Sequence, residues 1–478
     1  MKLLKNYVYN TTYQIFALLV PLITTPYITR VLGTTGVGIN AFTNSVTQYF
    51  VLAGSIGVSL YGNRIIAYQR DNRKQMSQTF WSIVVLRFVT ILIAYLAFLL
   101  FLVFVDQYRL DYLFQSLAIV AAALDISWVF MGMEDFKRTV IRNFLVKAVS
   151  TVCIFIFVRT AHDVAIYILI LTGSILLGNL SLWGYLRELV DPPVWSELRF
   201  REHLSGSLRL FVPQVSMQIY LVLNKTMLGS FKGVQSAGLY ENSDKIVKLL
   251  LTVVTAIVTV MMPRMANTYA RRDFKQLNRY LYQTIEFVSF IAFLLTAGLA
   301  AVAPTFAVWF MGREFAYTGQ LIPILSIVCP LIAWSTVLGS QYLVTTGKER
   351  QFTVSVTVGA IVNVLCNLVF IPAFGVMGAV WATVVAELVI TILDIYFVGE
   401  RTDLTQMFAG KWKYAVAAVV TFIVVRLLNN HLAGTFGLLV LQAVVGTIIY
   451  VALCVVLRCQ LIVFIFQKLK QRRGRHLS

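Results

Sequence analysis

Long apolar runs recur from one end of this sequence to the other. Residues 84–105 contain a single charge, Arg87, and residues 438–457 contain none. A helical run of about 18 or more apolar residues can cross a hydrocarbon core about 30 Å thick. Charged residues make up only 13% of the chain, against roughly a quarter in soluble domains. The sequence therefore predicts an all-α membrane protein.

Fourteen membrane-spanning helices are predicted from these runs. They lie at 7–28, 39–62, 79–104, 112–133, 140–159, 164–186, 205–228, 238–262, 283–310, 320–345, 353–371, 376–398, 412–428 and 435–457. The predicted inner segments hold 28 of the 40 Lys and Arg residues, and the outer segments hold 5. This alternation follows the positive-inside rule, so both termini are expected in the cytoplasm. The net charge of +19 then reflects orientation and anionic lipid rather than nucleic acid.

An internal echo links two parts of the sequence. Each part contains, in the same order, a proline, a cation, two glycines and a basic inner segment. In the first part these are Pro21, Arg30, Gly33, Gly38 and the segment that begins at Arg64. In the second part they are Pro213, Lys225, Gly229, Gly238 and the segment that begins at Arg264. Six predicted spans separate the two starts, so both parts enter the membrane from the same side. The repeats are therefore expected to be parallel, with binding sites between the two halves.

The echo also predicts the domain organisation. Two six-helix lobes, 1–190 and 205–400, are joined by a cytoplasmic linker, 191–204. Two extra helices follow in 401–457, and a basic cytoplasmic tail occupies 458–478. The fold class is thus an all-α membrane protein of about fourteen helices, with a parallel repeat of two six-helix lobes.

The predicted span at 238–262 begins with a stripe of charge. Glu241, Asp244, Lys245 and Lys248 lie at i, i+3, i+4 and i+7, on one face of a helix. An ion at mid-membrane costs roughly 2.5–3.5 kcal/mol, whereas an i,i+4 pair on a solvated helix returns only about 0.2–0.5 kcal/mol. The stripe must therefore face water, a charged ligand or other helices. A helix end lying in the headgroup region is the alternative interpretation.

Several of these segments resemble one family of membrane proteins. The run PLITTPYITRVLG at 21–33 and the run YGNRIIA at 61–67 resemble the start of the polysaccharide transporters. These are repeat-unit flippases of the multidrug/oligosaccharidyl-lipid/polysaccharide (MOP) exporter superfamily. Residues 228–240, with Lys245 and the run MPR at 262–264, are similar to the second-half counterpart. The run LVFIPAFGVMG at 368–378 resembles the link between their spans 11 and 12.

The resemblance implies two lobes around a central cavity that opens alternately to each side of the membrane. It implies that the cargo is an undecaprenyl-diphosphate-linked oligosaccharide. This cargo is moved from the inner to the outer leaflet for capsule, exopolysaccharide or O-antigen assembly. The implied location is the bacterial inner membrane.

Cations near helix ends and on the charged stripe are the predicted phosphate ligands, because Lys and Arg form strong charge-assisted bonds with phosphate. They are Arg30, Arg64, Lys225, Lys245, Lys248 and Arg264. Glu241 and Asp244 belong to the same predicted substrate-binding surface. Arg64 and Arg264 have an equally good alternative, since long basic side chains at helix ends commonly extend toward the headgroups.

Amide side chains at helical spacing are the predicted sugar contacts. They are Asn40, Asn44, Gln48, Gln214 and Gln218. Hydrogen bonds between helices of the bundle are the alternative role for these groups.

A second set of charges is a candidate for ion or proton coupling. It comprises Arg87, Asp125, Lys147, Glu387 and Asp394. Arg87 and Asp125 lie at equal depth in neighbouring spans, so a structural ion pair is the default interpretation. Glu387 and Asp394 are seven residues apart and face the same way. A coupling site and a partnership with inner-end arginines both remain open for these two acids.

The leading hypothesis is a secondary transporter, specifically a lipid flippase, and not an enzyme. A lipid II flippase of the same superfamily is the close alternative. A drug antiporter fits less well, since cationic drugs call for an anionic cavity. A membrane polysaccharide polymerase would need catalytic carboxylates on a sizeable outer loop, but the outer acids are scattered on short loops.

No cofactor or metal is expected. The expected partners are the polyprenyl-diphosphate-linked oligosaccharide, anionic membrane lipids, and the polysaccharide polymerase with its chain-length machinery. Nucleic acid is not expected as a partner, and the protein is predicted to be a monomer.

Overall fold

The computed structural model describes residues 2–429 and 436–464, without the side chains of 2–15, 209, 210, 212–214, 216, 217 and 219–221. These described ranges contain helices and turns but no β-strand. The predicted all-α class is therefore confirmed. Most of the predicted basic tail, from residue 465 onward, lies outside the described residues.

The chain divides into two compact units, Met1–Gly238 and Leu239–Ser478. The helices of the first unit are α1 (Lys2–Ser55), α2 (Val58–Gln69), α3 (Arg73–Val103), α4 (Arg109–Ala123), α5 (Ser127–Gly132), α6 (Phe136–Phe157), α7 (Val164–Trp183), α8 (Leu186–Leu189) and α9 (Phe200–Lys232). A 3₁₀ turn, Trp195–Glu197, lies in the segment between α8 and α9. The predicted lobe boundaries at 1–190 and 205–400 remain a prediction.

The second unit begins within α10 (Val234–Ala270). Its other helices are α11 (Phe274–Met311), α12 (Thr318–Leu325), α13 (Val328–Ser335), α14 (Glu349–Phe374), α15 (Val376–Gly399), α16 (Leu404–Phe408), α17 (Lys411–Asn429) and α18 (Phe436–Val456). A 3₁₀ turn, Arg313–Phe315, precedes α12, and a π-helix, Thr336–Leu343, continues α13. The segment Thr318–Leu343 thus crosses as one span made of three short helical pieces.

Twelve helical segments of the described chain are long and apolar enough to span a membrane. The predicted count of fourteen is not confirmed. One of the twelve, Phe16–Gln69, is 54 residues long and takes in parts of the first two predicted spans. The predicted span at 205–228 lies in α9, which is not among the twelve.

Helix α1 runs through the segment that the sequence predicts to separate two spans, at 29–38. A straight helix of 54 residues would measure about 80 Å, more than twice the thickness of a hydrocarbon core. The helix is instead kinked at Gly33, whose φ is 65° and ψ is −173°. Only glycine adopts these angles readily, because the region excludes a Cβ atom. The kink at Gly33 therefore changes the direction of the helix axis within α1.

Two glycines of the sequence echo pack against each other within the first unit. A Cβ on Gly38 would lie 2.0 Å from the carbonyl oxygen of Val234. A Cβ on Gly238 would lie 2.7 Å from the carbonyl oxygen of Thr34 and 2.9 Å from the backbone nitrogen of Gly38. Backbone approaches backbone here, so a side chain at either position would separate α1 from the start of α10.

Helix α3 shows the division between core and lipid-facing surface. Phe80 and Phe98 are fully buried, whereas Ile93, Leu96 and Leu100 are more than half exposed. A continuous exposed apolar surface of this kind is typical of a helix that contacts lipid. Such surfaces recur along the described helices, as expected for a multi-pass membrane protein.

Candidate functional site

The charged stripe lies on α10, as the sequence predicts, and its four side chains are all half-buried. The Nζ of Lys248 lies 2.7 Å from Oδ2 of Asp244, so the predicted i,i+4 ion pair is present. The Lys248 side chain is 42% exposed, whereas that of Asp244 is 15% exposed. The pairing holds the lysine charged beside its neighbour within an apolar helix.

Helix α15 supplies a third acid beside this stripe. The hydroxyl groups of Tyr240 and Thr383 are 2.8 Å apart and buried, which joins the start of α10 to α15. Glu387, one turn beyond Thr383, is 7% exposed and attracts the charge of Lys248. With Glu387 included, this part of the second unit carries three acids and two lysines. The stripe by itself is neutral in formal charge, and Glu387 makes the cluster net-anionic.

The other predicted phosphate ligands lie on α1, α2, α9 and α10. Arg30, Arg64 and Arg264 are exposed, and Lys225 is half-buried. The Nη1 of Arg30 donates to the carbonyl oxygen of Pro26 at 3.1 Å. The guanidinium of Arg64 donates to the hydroxyl of Tyr68 at 3.3 Å and lies 5.7 Å from its ring centre. Both contacts are local, since each joins residues four apart along one helix. A single ladder made of all six cations remains a prediction.

Two of the predicted sugar contacts form hydrogen bonds between helices. The Oδ1 of Asn40 accepts from Nε2 of Gln115 at 3.1 Å, and Nδ2 of Asn44 donates to Oε1 of Gln115 at 3.4 Å. These bonds join α1 to α4, which is the alternative role that the sequence left open. Gln48 and Gln218 are half-buried. The side chain of Gln214 lies outside the described residues.

The predicted Arg87–Asp125 pair is present in the first unit. Arg87 is 3% exposed, and its Nη2 lies 3.7 Å from Oδ2 of Asp125. Its Nη1 donates to the carbonyl oxygen of Asp125 at 2.9 Å and to the hydroxyl of Ser59 at 3.3 Å. This one side chain therefore connects α3 with α2 and with the break between α4 and α5. Lys147 of α6 approaches the carbonyl oxygen of Ala17 in α1 at 3.5 Å.

Asp394 of α15 is a buried carboxylate with one unsatisfied oxygen. It is fully buried, and its Oδ2 accepts from the hydroxyl of Ser335 at 2.7 Å. Its Oδ1 accepts no hydrogen bond from any residue that the structure describes. The hydroxyl of Ser355 lies near this carboxylate and donates to the carbonyl oxygen of Gln351 at 3.3 Å. No described Lys or Arg forms an ion pair with Asp394.

The surroundings of Asp394 are tightly packed. A Cβ on Gly339, in the π-helix, would lie 3.2 Å from Oδ2 of Asp394. π-Helical segments of this kind occur frequently at functional sites. On α14, Asn363 and Asn367 are both fully buried and share a hydrogen bond of 2.9 Å. Among the described residues, no group of three or more His, Cys, Asp or Glu side chains could hold a metal ion.

A buried charge network in the second unit was missed by the sequence reasoning. Glu286 of α11 accepts from Nζ of Lys411 and from the hydroxyl of Tyr414, both on α17. It also accepts from the backbone nitrogen of Leu461, after α18, at 3.0 Å. Glu286 is a lone acid in an otherwise apolar span, and an acid in that position indicates a buried cationic partner.

Two carboxylates outside the membrane spans are held by local hydrogen bonds. Asp163 accepts from the backbone nitrogens of Arg159 and Thr160, at 2.8 and 2.7 Å, and these bonds lower its pKa. The Lys348 ammonium, 3.0 Å from Glu400, lowers the pKa of that carboxyl. Because both pKa values are lowered in the folded state, these contacts stabilise the loops at neutral pH and are lost under acidic conditions. Their role is structural.

Two family models match this chain. The model described as Polysaccharide biosynthesis protein matches residues 3–269, and the model described as Lipid II flippase MurJ matches residues 139–462. A protein of Escherichia coli (strain K12) named as an O-antigen transporter is 23% identical over 404 residues, which is 83% of this chain and 97% of that protein.

Solved structures show the same fold. The lipid II flippase MurJ in an inward closed conformation superposes with a TM-score of 0.79 at 13% identity, covering 95% of this chain and 100% of that one. A multidrug resistance MATE family transporter of the MOP superfamily, in an inward-facing conformation, gives a TM-score of 0.64 at 14% identity. The match covers 80% of this chain and 94% of that transporter. Since each of the two family models covers more than half of the sequence, the chain belongs to the polysaccharide biosynthesis protein family, among the flippases of the MOP superfamily.

Proposed function

We propose that this protein moves undecaprenyl-diphosphate-linked oligosaccharide repeat units from the inner to the outer leaflet of the bacterial inner membrane. The transport proceeds by alternating access and serves capsule, exopolysaccharide or O-antigen assembly. Family membership and the O-antigen transporter relative support a lipid-linked polysaccharide cargo. The observation that carries the proposal is the half-buried charged stripe on α10, with Lys248 paired to Asp244.

Lys248 is the group of the stripe that a negatively charged cargo would engage. A lone lysine in a membrane helix is costly, and a neighbouring carboxylate reduces that cost while the site is empty. A bound diphosphate can then replace the carboxylate as the partner of the ammonium group, because charge-assisted bonds to phosphate are strong. Asp244 and Glu387 would in this way keep Lys248 charged and positioned between transport cycles.

Asp394 is the candidate coupling carboxylate. Its buried Oδ1 has no partner among the described residues, and a proton or a monovalent cation would satisfy it. Arg87 and Asp125, in contrast, form an ion pair with each other, which is the structural role that the sequence predicts. Replacing Asp394 with Asn should abolish the dependence of transport on an ion or proton gradient, with the protein still inserted. Transport by Asp394→Asn that still follows the gradient would exclude this role.

Lipid II transport is the second candidate function. The MurJ model matches 139–462, which supports a peptidoglycan precursor as cargo. Both cargoes carry a polyprenyl diphosphate, so the α10 stripe would serve either of them, and they differ in the head group attached to the diphosphate.

Complementation separates the two candidates. The chain is expressed in one strain that lacks its O-antigen flippase and in another depleted of its lipid II flippase. We expect restored surface polysaccharide in the first strain and no rescue of growth in the second. Rescue of the lipid II strain alone would overturn the proposal in favour of the second candidate.

A further inference from the structure

A polar pocket at one end of the first unit has no part in the site described above. Its volume is about 720 Å³, within the range of roughly 300–1,000 Å³ that is usual for small-molecule sites. The end of α2, the start of α3 and the segment that leads into α9 form its walls. By the positive-inside rule, this end of the unit is the cytoplasmic one.

Hydrogen bonds hold the segment before α9 against α3. The carboxylate of Asp191 lies 2.9 Å from Nε of Arg73, and its backbone nitrogen donates to the hydroxyl of Ser77 at 2.9 Å. The indole nitrogen of Trp81 donates to the carbonyl oxygen of Asp191 at 2.8 Å. The backbone nitrogen of Arg199 donates to the hydroxyl of Ser82 at 3.1 Å. The pocket walls are therefore fixed by four bonds before any ligand binds.

The lining groups favour an uncharged, hydrogen-bonding ligand. Four carboxamides are among the lining side chains, namely Gln69, Asn72, Gln75 and Gln78. The Oε1 of Gln69 is buried and has no hydrogen-bond partner in the described part of the chain. Each amide offers both donors and an acceptor, which matches the alternating donors and acceptors of sugar hydroxyl groups.

The charges of the pocket cancel. Lys74 and Arg199 are balanced by Glu197 and Glu202, so a phosphate or a cationic ligand finds no net attraction. Trp195, which precedes the lining residue Ser196 in the sequence, has a side chain that is 70% exposed. An aromatic ring together with neutral polar groups is suited to binding a sugar ring.

We infer that this pocket is a saccharide subsite that receives the distal sugars of the cargo glycan on the cytoplasmic side. The inference rests on the proposed function and adds to it a place where the glycan is recognised apart from its diphosphate. The α10 stripe then recognises what all such cargoes share, and the pocket recognises what distinguishes them.

The test compares two carriers and two sets of variants. The full chain is reconstituted in vesicles with undecaprenyl diphosphate bearing either a complete repeat unit or a single sugar. The pocket variant is Gln75→Ala/Gln78→Ala. Its control is Gln276→Ala in α11. Like the backbone nitrogen of Gln75, that of Gln276 donates to a side-chain oxygen three positions earlier, of Asn72 and Asp273 respectively.

We expect the pocket variant to need about tenfold more of the complete carrier for half-maximal transport, since it loses hydrogen bonds to the sugars. Its maximal rate, its transport of the single-sugar carrier and the control should match wild type. Equal transport of the complete carrier by variant and wild type would overturn the inference alone, as would equal losses for both carriers. Wild-type protein that moves neither carrier would overturn the proposed function and the subsite with it.

Discussion

At the scale of single residues, Lys248 shows how an apolar membrane helix accommodates a charge. Asp244 lies one turn away at 2.7 Å and Glu387 lies on the neighbouring helix, so the ammonium group is surrounded by opposite charge. The i,i+4 spacing predicted the first partner. The second partner is 139 residues further along the chain, and no local pattern connects it to Lys248.

Replacing Lys248 should distinguish a substrate ligand from a structural ion. A charge-assisted hydrogen bond contributes about 1.5–3 kcal/mol, so Lys248→Ala should lower transport roughly 10- to 100-fold at unchanged protein level. Asp244→Asn keeps the cation and should retain most of the activity. The measurement is surface polysaccharide in the complemented strain, with Lys232→Ala, at the exposed end of α9, as the matched control. Equal losses in Lys248→Ala and Asp244→Asn would show that the pair is only structural.

At the scale of elements, the apolar runs predicted the helices well but not their breaks and joins. Residues 29–38 are predicted to connect two spans, yet α1 continues through them with a kink at Gly33. Sequence spacing cannot separate a kink from a loop, because both place a glycine between two apolar runs. Similarly, the spacing of Asn40 and Asn44 left a sugar-contact role and a helix–helix role open. Their hydrogen-bond partner, Gln115, is more than 70 residues away, and sequence spacing could not identify it.

The kink predicts a strong effect of a small substitution. Gly33→Ala places a Cβ in a backbone conformation that costs roughly 1–3 kcal/mol for other residues. We expect a clear drop in the melting temperature of the detergent-solubilised protein. Gly173→Ala in α7 is the control, since a Cβ there meets nothing within 4 Å and the residue is helical. Unchanged stability of Gly33→Ala would mean that α1 does not need this kink.

At the scale of the molecule, the Glu286–Lys411–Tyr414 network connects α17 and the residues after α18 to α11 of the second unit. Removing one partner of a buried pair costs about 3–5 kcal/mol, because the other charge is left uncompensated. Glu286→Gln and Lys411→Met should each lower the melting temperature strongly. The double variant should be more stable than the sum of the two losses predicts. Lys413→Met, on the same helix, serves as the control, and single variants as stable as wild type would refute the structural role.

The sequence predicted the membrane class and the Lys248–Asp244 pair, because these depend on composition and local spacing, and it predicted the family through its resemblance to the polysaccharide transporters. It did not establish the network at Glu286, whose partner is 125 residues away, or the polar pocket, whose walls come from three separated segments. Long-range pairing of this kind depends on how the helices pack, and one sequence contains no direct record of it.

The most direct test of the central claim is transport by the purified chain. Wild-type protein is reconstituted in phospholipid vesicles with undecaprenyl-diphosphate-linked oligosaccharide, and a membrane-impermeant lectin reports how much glycan reaches the outer surface. We predict that the protein accelerates this movement well above protein-free vesicles, and that Lys248→Ala slows it. Movement no faster than in protein-free vesicles, with the protein folded and inserted, would contradict the account.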